Sequence, residues 1–186
     1  MPTADRGTHP KIRLLETASR LFYAEGIHAV GVERLVSEAA VTRATFYRHY
    51  PTKDDLVAAY LSTTSERIRE GVGAATRGKP AREALLAALG IIGDRTLDDD
   101  FRGCPFLNAA AEYPDPEHQV RRVIDDHREW FFGALRDLAR DAGHADPEHA
   151  ARTLVLLRDG ALHGGNLDDA ETVRATLRRA VTDVVA

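Results

Sequence analysis

The densest run of chemistry-bearing side chains is Thr42-Arg43-Ala44-Thr45-Phe46-Tyr47-Arg48-His49-Tyr50, followed by Thr52 and Lys53. It offers cations, hydroxyls and an imidazole, and no acid intervenes before Asp54. That set suits a polyanion. Arginine and lysine neutralise phosphates, hydroxyls and phenols hydrogen-bond phosphate oxygens, and an arginine fork can read a base edge in the major groove. Lys53 opens the next helix, where a cation opposes the helix dipole and calls for a nearby phosphate. Plainer readings exist: Lys53 and Arg48 as solvated surface cations, Tyr47 as core.

Other chemistries are poorly supported. Cys104 is the chain's single cysteine, so an internal disulfide or multi-cysteine zinc site is excluded, and beside Phe101 and Phe106 it reads as a small buried hydrophobe. Gly71-Val72-Gly73 lacks a preceding strand and a third glycine, so it is no dinucleotide loop. Glu25 and His28 have a carboxylate-bundle spacing interrupted by Gly26, with no second copy. His118 and His149 sit in equivalent cap positions on different helices and make a weak metal pair. No nucleophile elbow or Walker loop is present. The expectation is a protein that is not an enzyme and carries neither metal nor cofactor.

A second concentration is aromatic. Phe101, Phe106, Trp130, Phe131 and Phe132 lie close in sequence, with Leu89, Ile92, Leu107 and Leu135 on flanking helices. A cavity for a mostly apolar small molecule would have this composition, with Asn108, Glu112, Tyr113 or His127 supplying one or two hydrogen bonds. Ordinary core explains the cluster about as well.

The elements that must position these residues are helices. Apolar residues recur at helical spacing, as in Leu14, Leu15, Ala18, Leu21 and Phe22 stopped by Gly26. The spacing predicts about nine helices and no strand: an all-α fold. Val32–Ala39 and Arg43–Tyr50, joined by a tight turn with Thr42 as N-cap, form a helix-turn-helix unit with Phe46 turned to the core. Thr52 and Asp55 form a capping pattern, and Asp-Pro-Glu-His at 115–118 and 146–149 reads twice as a helix start. Asp168 with Glu171 resembles a further capping box. Gly71–Lys79 and Asp94–Pro105 read as linkers.

Length and charge agree with this division. The 186 residues carry 44% hydrophobic and 29% charged side chains, a globular balance. Net charge is −4, but residues 1–54 carry +2 and the remainder −6, the asymmetry expected of a nucleic-acid-binding end. Met1–Pro10 is polar without an apolar signal core, and no apolar run could span a membrane; a cytoplasmic location is expected.

Gly26, Val30-Gly31-Val32, Leu35-Val36, Ala39 through Tyr50, Thr52-Lys53 and Leu56 together resemble the DNA-binding domain of the TetR family of transcriptional repressors. The resemblance is close over about 50 residues. Gly103–Tyr113 looks like a stretch found in one branch of that family. It implies residues 1–54 as a three-helix DNA-binding domain and 55–186 as a helical ligand-binding and dimerisation domain. It implies phosphate contacts from Thr42 and Tyr47, base reading by Arg43 and Thr45, and backbone clamping by His49 and Lys53, with Arg48 on the same helix. The implied ligand set is Phe101, Phe106, Asn108, Tyr113, His127, Trp130 and Phe131. The implied partners are a palindromic double-stranded DNA operator, an apolar inducer and a second copy. The apolar stripe of 150–162, through Leu154, Leu157 and Leu162, is too wide for a helix facing only its own core, and with Val173, Leu177 and Val181 of 173–185 it reads as half of a four-helix seam. A small all-helical ligand-binding protein or enzyme with an accidental helix-turn-helix is the rival reading.

Two departures stand out. Ala40 occupies the turn position where the family usually has glycine, which implies a left-handed alanine. Gly31 stands where Thr or Ser usually caps the first helix of the pair.

Overall fold

A computed structural model gives the structure of the chain, described over residues 9–185; Met1–Thr8, most of the polar leading stretch, lie outside the described residues. Among the described residues there are nine α-helices and no strand. They are α1 (Pro10–Glu25), α2 (Val32–Glu38), α3 (Arg43–His49), α4 (Lys53–Thr76), α5 (Ala81–Arg95), α6 (Pro105–Glu112), α7 (Gln119–Asp141), α8 (Pro147–Gly164) and α9 (Ala170–Val184). No described helix is long and apolar enough to cross a membrane.

The chain divides into two compact units: one formed by residues up to Thr64 with Asn108–Ile124, the other by Ser65–Leu107 with Asp125 onward. In the first, α1, α2 and α3 pack mutually around Leu14, Ala18, Leu21, Leu35 and Phe46, with Ile27, Val30, Tyr50, Leu56, Val57 and Leu61 also buried. Helix α1 ends at Gly26, whose φ of 93° is one that L side chains rarely adopt. Gly31 caps α2 without a side-chain bond.

The turn between α2 and α3 is a Schellman motif built on alanine. Val41 N–H donates to Val36 O at 3.0 Å and Ala40 N–H to Ser37 O at 3.2 Å, with Ala40 at φ 51°. The Arg13 guanidinium holds the carbonyls of Ala39 (3.0 Å) and Ala40 (3.2 Å). An arginine thus fixes a turn that glycine would form with less strain.

In the second unit, α9 packs against both α5 and α8. Leu154, Leu177 and Val181 lie in this core with Leu85, Leu89, Phe131 and Leu135. Leu154, Leu162, Leu177 and Val181, read from sequence as a seam for a second copy, are therefore covered by the chain itself. The stripe on α8 is wide because both α9 and α5 pack against it. Leu157 and Val173 are half-buried, while Leu156 and Leu167 are exposed.

Several predicted boundaries move. Gly71 and Gly73 lie inside α4, so only residues 77–80 form that linker. Asp169, not Asp168, caps α9, accepting from Thr172 N–H at 2.9 Å. At 115–118 no helix starts: α7 begins at Gln119, and His118 Nδ1 accepts from Val120 N–H. The second copy behaves as read, with Asp146 accepting from His149 N–H at 3.0 Å. Thr52 and Asp55 form the expected reciprocal cap.

Ala40→Gly removes the left-handed penalty while the Arg13 contacts remain. It should raise stability by about 0.5–1 kcal/mol, read as a higher urea midpoint at unchanged slope.

Candidate nucleic-acid interface and ligand site

Helix α3 is anchored by Phe46, which is fully buried and meets Tyr47 edge-on at 5.2 Å. Thr42 caps it: its Oγ1 accepts from Thr45 N–H at 3.1 Å and lies 2.9 Å from Thr45 Oγ1. With Phe46 inward, Arg43, Ala44, Tyr47 and Arg48 face outward, and Tyr47 keeps 43% of its surface. The exposed side of α3 thus presents two guanidinium groups and a phenol with no acid of its own. Among the described residues Arg43 pairs with an acid of α2, Glu33, at 2.6 Å. Such an exposed, screened pair contributes little and exchanges readily for a stronger anion.

His49, at the end of α3, stacks edge-on against His9 at 5.3 Å, and its Nε2 is buried without a hydrogen-bond partner. Burial, with Arg48, His9 and Lys11 nearby, depresses its basicity. Lys53 lies inward of the other predicted DNA contacts. Its Nζ donates to Ile27 O at 2.6 Å and sits 5.8 Å from the Phe22 ring, and burial lowers its pKa against the pull of Glu112 and Asp54. One of its three ammonium hydrogens is therefore committed to the protein.

The same peptide is held from its other side. Glu112, at the end of α6, accepts from Ile27 N–H (2.8 Å) and His28 N–H (2.5 Å). Beside it, Tyr113 donates its hydroxyl to Asp54 Oδ1 at 2.8 Å, and His118 Nε2 lies 3.4 Å from Asp54 Oδ2. Burial and the Asp54 carboxylate push the Tyr113 phenol well above its ordinary range. Tyr113, read from sequence as a ligand contact, thus braces the first unit, and Asn108 is exposed there.

The remaining predicted ligand residues fall in the second unit. Phe106 stacks on His127 at 3.7 Å with 4° between planes, and Trp130 lies 5.6 Å from the same imidazole. His127 is buried; its Nδ1 is 2.9 Å from Ser65 Oγ, which also accepts from Arg69 Nε–H at 3.2 Å. The Arg69 guanidinium lies over Trp130 at 4.6 Å. Arg158 is also buried, 5.1 Å from the Phe131 ring, donating to Asp159 at 2.7 Å and to Cys104 Sγ at 3.4 Å. Burial, then the charges of Arg158 and Arg69, push His127 down to about 3, so it is neutral at physiological pH. Phe101 is held by Gly165, where a Cβ would stand 2.9 Å from its ring. Among the described residues no cluster of three or more histidines, cysteines or carboxylates could hold a metal.

Sequence reading missed Arg158 and Ser65. The signal was available for Arg158: it follows Leu154 by four and precedes Leu162 by four, a charge inside a buried stripe. Ser65 carried no signal, since its partner is 62 residues away.

Comparison with known proteins agrees with this architecture. The family described as bacterial regulatory proteins, tetR family, matches residues 14–60. The crystal structure of SCO4454, a TetR-family transcriptional regulator from Streptomyces coelicolor, is 47% identical with a TM-score of 0.91, covering 95% of this chain and 94% of that one. The HTH-type transcriptional activator FasR of Mycolicibacterium smegmatis is 32% identical across 77% of this chain and 64% of its own. The HTH-type transcriptional regulator YjdC of Escherichia coli is 22% identical across 92% and 91%.

Glu112→Ala leaves two main-chain donors without their acceptor. It should cost about 1–3 kcal/mol of stability, read by urea denaturation, whereas Glu112→Gln, which keeps one acceptor oxygen, should recover part of that loss.

Proposed function

Because the chain belongs to the tetR family of bacterial regulatory proteins and is a helix-turn-helix transcriptional regulator, we propose that it is a ligand-responsive repressor. In this reading a homodimer blocks a promoter by placing two copies of α3 in successive major grooves of a palindromic operator. The observation that carries it is the outward face of α3, with Arg43, Tyr47 and Arg48 exposed and no acid on that helix. Arg43 and Thr45 read base edges; Thr42, Tyr47 and Arg48 meet phosphates. His49 and Lys53 act at the margin, Lys53 through the two ammonium hydrogens left by its bond to Ile27. The second copy docks on the outer faces of α8 and α9, where Leu156 is exposed and Leu157 and Val173 are half-buried. Ligand bound in the second unit favours a conformer whose two α3 helices no longer match the half-sites.

Activation rather than repression is favoured by one observation, the activator FasR among the relatives. A reporter gene behind the recovered operator separates the two signs.

Selection of bound DNA from a random pool tests the main reading. It should recover a palindrome with half-sites about 34–36 Å apart, and recovery of no preferred sequence would count against it. On that operator, Arg43→Ala should cost about 1–3 kcal/mol and relax preference at one base pair. Arg48→Ala should instead weaken binding to every sequence and lower the slope of log affinity against log salt by about one. Equal losses from Arg43→Ala on operator and random DNA would remove its base-reading role.

A further inference from the structure

Two buried donors in the second unit have no acceptor. His127 is 2% exposed and its Nε2 has no hydrogen-bond partner; Arg158 is 5% exposed and its Nε has none. The contact with Ser65 fits either imidazole tautomer, and the one that makes Nε2 a donor is that in which the serine gives its hydrogen to Nδ1. Ser65 Oγ accepts from Arg69 Nε–H, so the serine's own hydrogen is available to His127 Nδ1. The imidazole is neutral, and with Nδ1 accepting, its proton sits on Nε2. In that tautomer both orphaned atoms are N–H groups. A buried N–H left without an acceptor costs about 1–3 kcal/mol, so each of these two groups is poised to donate to a bound acceptor.

Charge gives the sign of what is missing. Around His127 stand Arg69 and Arg158, and the carboxylate nearest Arg158, Asp159, is shared with Arg128 at 2.7 Å. Of these cations only Arg158 is buried, while Arg69 and Arg128 are exposed, and the two charges that act on His127, those of Arg158 and Arg69, are both positive. The walls are aromatic: Phe106 stacked on the imidazole, Phe131 against Arg158, and half-buried Trp130 beside His127.

We propose that the ligand of this regulator is an aromatic or other apolar carboxylic acid, its carboxylate accepting from His127 Nε2–H and Arg158 Nε–H while its apolar body lies against Phe106, Trp130 and Phe131. This rests on the ligand-responsive reading above. It differs from the mostly apolar inducer expected from sequence by requiring a charge: the acid binds more tightly than its neutral amide. A carboxylate gains from the positive charges of Arg158 and Arg69 at His127, and an uncharged ligand does not.

Trp130 is the chain's only tryptophan, so intrinsic fluorescence reports on this site. The full-length protein is titrated with benzoate, 1-naphthoate and decanoate, each against its primary amide. At least one acid should change Trp130 emission saturably and bind at least tenfold more tightly than its amide. His127→Phe keeps a flat ring against Phe106 without the donor, and Arg158→Lys keeps the charge without Nε. Each should reduce the preference for acid about tenfold and leave amide binding unchanged. Equal affinity for acid and amide would overturn the proposal, as would a preference that survives both substitutions or no Trp130 response to any of the acids. The wild-type comparison decides even if a variant fails to fold. Release of operator is measured in the same titrations. An acid that binds at Trp130 without releasing operator supports the site and defeats the ligand-response reading; an amide that releases operator where its acid does not has the opposite meaning.

Discussion

The first unit depends on how the Ile27–His28 peptide is held. Its N–H, that of His28, is taken by Glu112 and its C=O, that of Ile27, by Lys53, side chains from α6 and α4. The peptide lies just past Gly26, where α1 stops at positive φ and its hydrogen-bond ladder can no longer serve the main chain. Unpaired, these polar groups would carry a desolvation cost at a buried residue. Paired as they are, they set the direction in which the chain leaves α1, and with it the start of α2. The Arg13 grip on the α2–α3 turn then fixes where α3 begins. A phenylalanine can bury itself in several orientations, but a peptide bonded at both ends has essentially one.

The two units use polar groups differently. In the first, Arg13, Lys53 and Glu112 satisfy main chain that has run out of helix. In the second, Arg158 is a cation placed in an apolar stripe, and its bonds to Asp159 and Cys104 leave part of it unsatisfied. Leucine there would pack without that cost, and a buried charge incompletely paired is a poor way to stabilise a core. A group that weakens its own fold usually has a use when something else binds.

Local signals were legible in the sequence and long-range ones were not. The Thr42 cap, the Thr52–Asp55 box, the Phe46 anchor, the left-handed Ala40 and the glycine stop at Gly26 each follow from a few neighbouring residues. The failures have one cause. Asp-Pro-Glu-His carries the same local preference in both places, yet at 115–118 the chain is bent by Tyr113 and His118 reaching Asp54. Gly71 and Gly73 read as a linker because propensity is a weak prior, and the length of α4 overrides it. The stripe on α9 was visible, but nothing local says whether α5 or a second copy covers it. The bonds that Lys53 and Tyr113 make, to partners 26 and 59 residues away, were equally beyond local signals.

The contact between Glu112 and the main chain also bears on how such a regulator can change over generations. Glu112 addresses two amides, which every residue except proline supplies, so positions 27 and 28 can drift in side chain without breaking the bond. The acid cannot drift in the same way. Residues 108–124 belong with α1, α2 and α3 to one compact unit although more than forty residues of other structure separate them in the chain. A chimera that exchanges only residues 1–54 for those of a relative would therefore inherit a foreign brace; the portable piece is discontinuous, and a graft must carry both of its segments.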